Sequence, residues 1–133
     1  MTTIAAIIGT KLPSNAAEDS FNLLPALLGE ATAPIRPYLL TQAFAGACTL
    51  FIRCGPWKYL DHPSSGGNRY DSDAGLKPFM LADSAPGAPG QLYNLDTDPG
   101  ETKRLYAVRP ELVKELKNLR EQSKARGRSR PIR

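Results

Sequence analysis

The chain has 133 residues, 41% of them hydrophobic and 23% charged, the proportions of one ordinary globular domain with a modest core. Twelve prolines and eleven glycines require many turns, and no run of about 18 apolar residues is present to cross a membrane as a helix. The net charge of +4 hides an asymmetry: six basic and nine acidic side chains precede residue 101, and eleven basic and four acidic lie from there onward, so the basic character belongs to the C-terminal part.

In chain order, Thr2 to Gly9 reads as a short apolar helix stopped by Gly9 and Pro13. It opens without a clear cap, as an element entered near its start, and no basic residue or cleavage pattern marks it as a secretory leader. A polar loop, Ser14 to Ser20, leads to a second short helix over Phe21 to Leu28, ended by Gly29. From Pro37 the pattern changes to short aromatic and β-branched runs: Tyr38–Phe44, Cys48–Arg53, Trp57–Leu60 and, after a gap, Gln91–Leu95. In the third of these Trp57 and Tyr59 alternate with Lys58 and Leu60, the two-residue period of a sheet, and Gly55-Pro56 suits a hairpin turn. Cys48 and Cys54 on one strand would lie roughly 20 Å apart at ~3.3 Å per residue, too far to bridge.

The interval from Asp61 to Gly90 shows no regular pattern, and loops of that length are usually functional or packed on something else. Asp96-Thr-Asp-Pro-Gly-Glu101 is a turn: the aspartates can accept backbone N–H groups, Pro99 presets φ and Gly100 tolerates positive φ. A short helical turn is expected over Glu101 to Val108. Pro110 then opens the clearest helix, with Leu112, Val113, Leu116 and Leu119 forming one apolar stripe, Glu111 near its positive end and Lys124 and Arg126 near its negative end. These elements predict an α+β domain: connecting helices over 1–30, a four-stranded antiparallel meander over 37–95 with the long loop 61–90, a helix over 110–126 packed on one face of the sheet, and a basic tail over 127–133. The whole of 1–133 reads as one domain.

Chemistry-bearing groups are sparse. His62 is the single histidine and has no second imidazole or carboxylate cluster to support metal or triad chemistry. Asp71 with Asp73, and Asp96 with Asp98, invite a calcium reading, but neither pair lies in a twelve-residue loop closed by a bidentate glutamate, and turn capping explains both. The tail Lys124-Ala-Arg-Gly-Arg-Ser-Arg130 has the alternating charge that binds polyanions. Its simpler reading is a solvated terminus, and no aromatic residue interleaves with it to stack a base, which argues against nucleic acid.

Three segments in order carry a resemblance: Phe51-Ile-Arg-Cys-Gly-Pro-Trp-Lys-Tyr59, Gln91-Leu-Tyr-Asn-Leu-Asp-Thr-Asp-Pro-Gly-Glu-Thr102, and Pro110-Glu-Leu-Val113. This succession, with Thr3-Ile-Ala-Ala-Ile-Ile-Gly9 ahead of it, resembles the C-terminal subdomain of formylglycine-dependent sulfatases of the arylsulfatase and N-acetylgalactosamine-6-sulfatase group. One local departure is Lys103-Arg-Leu105, where that group often has an Asn before the Leu.

The resemblance implies a four-stranded sheet covered by a long helix, packed on a catalytic α/β domain. It implies a sulfuric ester hydrolase whose calcium ligands, formylglycine nucleophile and sulfate-contacting residues belong to that other domain, so neither cofactor maps onto a residue here. Cys54-Gly-Pro-Trp-Lys58 matches the nucleophile signature C/S-x-P/A-x-R at the Cys and the Pro, but Lys58 replaces the Arg and a hairpin replaces the helix start. It is therefore read as a hairpin, because a lysine does not reproduce planar guanidinium bonding. The chain alone is expected to be inactive, as a piece of a larger enzyme that packs on the catalytic domain. His62, Arg69 and Tyr70 are its candidates for lining a rim toward sulfated carbohydrate. The alternative is a basic-tailed polyanion-binding module. Relatives of full length are commonly periplasmic or secreted; the compartment of this chain stays open.

Overall fold

Hydrophobic alternation on short strands organises the molecule. The structure, a computed structural model, describes residues 1–42, 49–63 and 70–130. Strands β1 (Leu39–Gln42), β2 (Leu50–Cys54), β3 (Trp57–Leu60) and β4 (Gln91–Asn94) form one antiparallel sheet in the order β1-β2-β3-β4. The pairs Leu40↔Ile52, Ile52↔Tyr59 and Tyr59↔Leu92 place one row of side chains on a single face. Ile52, Tyr59 and Leu92 in that row have 0% exposure and are the centre of the core. On the other face Leu60, Gln91 and Tyr93 are also buried, so the β3–β4 half of the sheet is covered on both sides.

Two glycines make this arrangement possible. Cys54 pairs with Trp57 across Gly55-Pro56, and Gly55 has φ +55, the conformation that a two-residue hairpin loop with glycine in its first central position needs. Gly90 precedes β4, where an added Cβ would come 2.7 Å from the Tyr106 ring and 2.8 Å from the Leu60 carbonyl oxygen. Only a residue without a side chain fits that approach.

The helices are α1 (Thr2–Ile7), α2 (Leu24–Leu27) and α3 (Pro110–Arg126), with a 3₁₀ turn at Lys77–Phe79. The chain divides into two compact units, Met1–Pro37 with Leu119–Arg133, and Tyr38–Asn118. In the second unit the first half of α3 buries Val113 and Leu116, and its Lys117 Nζ lies 4.0 Å from Asp61 Oδ1. In the first unit α1 and α2 are in contact, Thr3 Oγ1 accepts the Leu23 N–H at 3.0 Å, and Asn22 Oδ1 accepts the Leu24 N–H at 3.0 Å.

The α+β architecture, with four antiparallel strands and a C-terminal helix, matches the expectation. Several details differ. The second helix is shorter than Phe21–Leu28, because the residues before Leu24 are held by Thr3 rather than by helical bonds. The helical turn expected over 101–108 is reduced to a single turn at its end, where the Leu105 carbonyl accepts the Val108 and Arg109 N–H groups at 3.1 and 2.9 Å. Asp98 takes the N–H groups of Thr102 and Lys103, and the Leu105 N–H goes to the Leu92 carbonyl at 2.8 Å, so the donors that would start a helix before Leu105 are used elsewhere. The outer ends of the first two predicted strands, with Phe44 and Cys48, lie outside the described residues.

The buried positions of α3 run Val113, Leu116, Arg120 and Ser123, with Leu112 and Leu119 half-buried beside them. Finally, the tail is not simply solvated. Arg128 Nη2 donates to the Ser14 carbonyl at 3.1 Å, Ser129 N–H to Asp19 Oδ1 at 2.7 Å, Arg130 N–H to the Glu18 carbonyl at 3.0 Å and Arg130 Nη2 to the Ala16 carbonyl.

Candidate functional site

The long loop leaves the sheet at Asp61 and returns at Gly90, and both feet are held by side chains that local sequence does not single out. Gln91 Nε2 donates to the His62 carbonyl at 3.0 Å, while Gln91 Oε1 accepts the Tyr93 hydroxyl at 2.7 Å. Gln91 is thus a buried polar group whose amide is satisfied on both sides, as burial requires. Arg104, beyond the end of β4, ties the next residue of the departing foot to the returning part of the loop. Its Nη2 donates to the Pro63 carbonyl at 2.8 Å and its Nη1 to Asp83 Oδ2 at 3.0 Å, and its own N–H goes to Ser84 Oγ at 2.7 Å. One arginine therefore ties residue 63 to residues 83 and 84, closing the interval at its base.

His62 is half-buried at the end of β3, Tyr70 is exposed on the loop, and Arg69 lies outside the described residues. The candidate set is therefore placed only in part, with His62 and Tyr70 on either side of residues 64–69. Within the loop, Asp73 Oδ1 accepts the Gly75 and Leu76 N–H groups at 2.8 and 3.3 Å, the capping role expected of it. Phe79, Met80 and Leu81 stand exposed in succession. Sequence reasoning missed Gln91 and Arg104. Their roles depend on partners 29 and 41 residues away, and nothing in their immediate neighbours signals it.

The Cys54–Lys58 pentapeptide is a hairpin. Cys54 ends β2 opposite Trp57, and Lys58 Nζ is committed to both oxygens of Glu101 at 2.6 and 2.9 Å while lying 5.0 Å above the Phe51 ring centre. Among the described residues no group of three or more His, Cys, Asp or Glu comes together as a metal ligand set, and no described helix is long and apolar enough to cross a membrane. The hairpin residues do not fit a formylglycine nucleophile at a helix start, and the described carboxylates do not fit a calcium centre.

The Lys58–Glu101 pair has a second meaning. It joins the Trp-Lys hairpin to the Asp-Pro-Gly-Glu turn, two segments of the resemblance that are remote in sequence. The turn itself is organised by Asp98, whose carboxylate accepts the Thr102 and Lys103 N–H groups at 3.0 and 2.8 Å and the Thr102 hydroxyl at 2.9 Å. Those two backbone donors, first Thr102 and then Lys103, hold its pKa below the ordinary 3.8.

No family model matches the chain. Over 124 residues, 93% of this chain, it is 34% identical to an N-acetylgalactosamine-6-O-sulfatase of Bacteroides thetaiotaomicron, of which it spans 22%. Among solved structures it is similar to a sulfatase from work on the metabolism of multiple glycosaminoglycans by the same organism. There the identity is 30%, the TM-score 0.66, and the match covers 92% of this chain and 23% of that one. The crystal structure of Ps i-CgsB, also known in complex with k-i-k-neocarrahexaose, shares the fold at 22% identity and a TM-score of 0.54, with 91% of this chain and 22% of that one covered. Nearly the whole chain thus corresponds to a segment of much longer proteins, and the chain is homologous to the C-terminal part of sulfatases.

Proposed function

We propose that the chain serves as the C-terminal subdomain of a sulfatase-type sulfuric ester hydrolase, packing on a catalytic α/β domain that supplies the nucleophile and the calcium. The observation that carries this reading is the coverage: nearly the whole chain aligns with barely a quarter of each relative. In this role the sheet and the first half of α3 form a platform, and the loop that Gln91 and Arg104 anchor forms part of the substrate rim. His62, Arg69 and Tyr70 are the residues that reach a sulfated carbohydrate there, chosen by position on that loop and by chemistry. A guanidinium, an imidazole and a phenol are suited to sulfate and sugar hydroxyl groups.

Among the described residues no group is arranged to attack sulfur. Cys54 closes a β-hairpin, and Lys58 beside it is engaged by Glu101. The purified chain is therefore expected to show no hydrolysis of an aryl sulfate, with or without added calcium. Calcium-dependent turnover that follows the protein through purification would refute the reading. The basic tail does not favour a separate polyanion-binding role, since Arg128 and Arg130 are bonded to carbonyls of the 14–18 segment.

A further inference from the structure

Helix α1 is inverted relative to an ordinary surface helix. At 100° per residue, Ile4, Ile7 and the C-cap Ile8 share an arc of roughly 100°, with Thr2, Ala5 and Ala6 on the opposite side. A surface helix normally buries the large apolar arc. Here Ala5 is the buried residue, and Thr2, Ala5 and Ala6 line a cleft of about 770 Å³ within the first unit. The isoleucines face outward, exposed by 64, 61 and 68%. Leu27 and Leu28, at the end of the contacting helix α2, are exposed as well. Among the described residues Ala5 is the one hydrophobic residue that the first unit buries; its other buried side chains are Arg120 and Ser123. The isoleucines of α1 and the leucines that end α2 therefore form a surface, while Leu12, Phe21, Leu24, Ile35 and Leu119 of this unit are only half-buried, and clustered apolar exposure of this kind marks an interaction site.

We infer that the Ile4–Ile7–Ile8 face of α1 is a docking surface for the catalytic domain, an assignment that rests on the function proposed above. The coverage identifies the occupant. The curated relative carries this region as 22% of its length, so most of its polypeptide lies outside the matched segment and is available to cover the face. The chemistry of the face agrees: three branched apolar side chains without an acidic or basic residue between Thr2 and Thr10 suit a permanent, apolar intramolecular interface better than a transient polar one.

The test is a chimera in which this chain replaces the matched segment of the Bacteroides N-acetylgalactosamine-6-O-sulfatase, compared with the same chimera carrying Ile4→Gln, Ile7→Gln and Ile8→Gln. Calorimetry of the parent chimera is expected to show one cooperative unfolding transition. The triple substitution is expected to split it, or to lower it by about 5 °C or more. In the 133-residue chain alone the same substitutions are expected to move the midpoint by less than about 2 °C, because these side chains meet solvent there. A parent chimera that unfolds as two independent parts overturns the proposed function and this inference with it. A cooperative chimera that the substitutions leave unmoved overturns the inference alone. So does an equal loss of stability in the isolated chain, which would place the isoleucines in its own core, or an isolated chain whose dimer the substitutions dissolve, which would give the face to a second copy.

Discussion

Lys58 and Glu101 stand 43 residues apart and meet at 2.6 Å. Glu101 holds this position with φ +55, a region that costs a non-glycine residue roughly 1 kcal/mol or more. The ion pair supplies a reason for the chain to accept that conformation. The side chains are 20 and 31% exposed, so solvent screens the attraction and a value near the top of the surface range, about 1 kcal/mol, is appropriate. Lys58 also sits over Phe51, and a single substitution would mix that contact with the ion pair. A double-mutant cycle separates them. Lys58→Met and Glu101→Gln, alone and together, with urea unfolding of each variant, are expected to give a coupling of about 1 kcal/mol. A coupling under about 0.3 kcal/mol would mean that the hairpin and the turn are held by something else.

At the scale of elements, the turn after β4 shows what sequence reading reaches and what it does not. That Asp98 caps a turn is legible, because Asp-Pro-Gly is local chemistry. The conformation of residues 101–108 is not legible in the same way. This segment has acceptable helical residues, but its donors before the last turn are taken by the Asp98 carboxylate and by the Leu92 carbonyl on the last strand, and only Val108 and Arg109 close a turn on Leu105. Strands β3 and β4 are readable for the opposite reason, since alternation of Trp57 and Tyr59 with Lys58 and Leu60 is itself the pattern of a two-faced sheet.

The turn carries a pH signature with a definite sign. The folded pKa of Asp98 is lowered from 3.8, so folding favours its carboxylate. The resulting stabilisation is present above the unfolded value and is lost as pH falls through the lower folded value. Because the group is only half-buried, the effect is best observed locally. In an acid titration by NMR the amide protons of Thr102 and Lys103 are expected to shift with a common midpoint below 3.8. Asp98→Asn keeps an acceptor oxygen and abolishes that titration. A midpoint at or above the ordinary value would contradict the geometry.

Across the whole molecule, apolar burial is distributed unevenly between the two units. Ile52, Tyr59, Leu60, Leu92, Tyr93, Val113 and Leu116 are buried in the unit from Tyr38 to Asn118. The first unit buries Ala5, half-buries Phe21, Leu24 and Ile35, and adds polar ties: Thr3 to the chain around Leu23, Ser20 to the Met1 and Thr2 backbone, and the Arg128–Arg130 tail to residues 14–19. The sheet and its core were legible in the sequence because they obey the hydrophobic period. The tail clasp was not, because it pairs arginines with backbone carbonyls 114 residues away, and carbonyls carry no sequence signal.

A hydrogen bond between polar groups contributes about 1 kcal/mol net, and only while water is kept from it. Full burial of a large apolar side chain contributes about 1.5–3 kcal/mol. The unit with the apolar core is therefore expected to open less often. Native-state hydrogen exchange of the isolated chain should find the slowest amides on β2, β3 and β4, with those of α1 and α2 exchanging at least about 100-fold faster, the consequence of a local opening energy some 3 kcal/mol lower. Equal protection of α1 and β3 would show that the first unit has a source of stability beyond its polar ties. In the chimera the same amides of α1 should become slow, because the isoleucine face would then be covered and local opening would have to expose it.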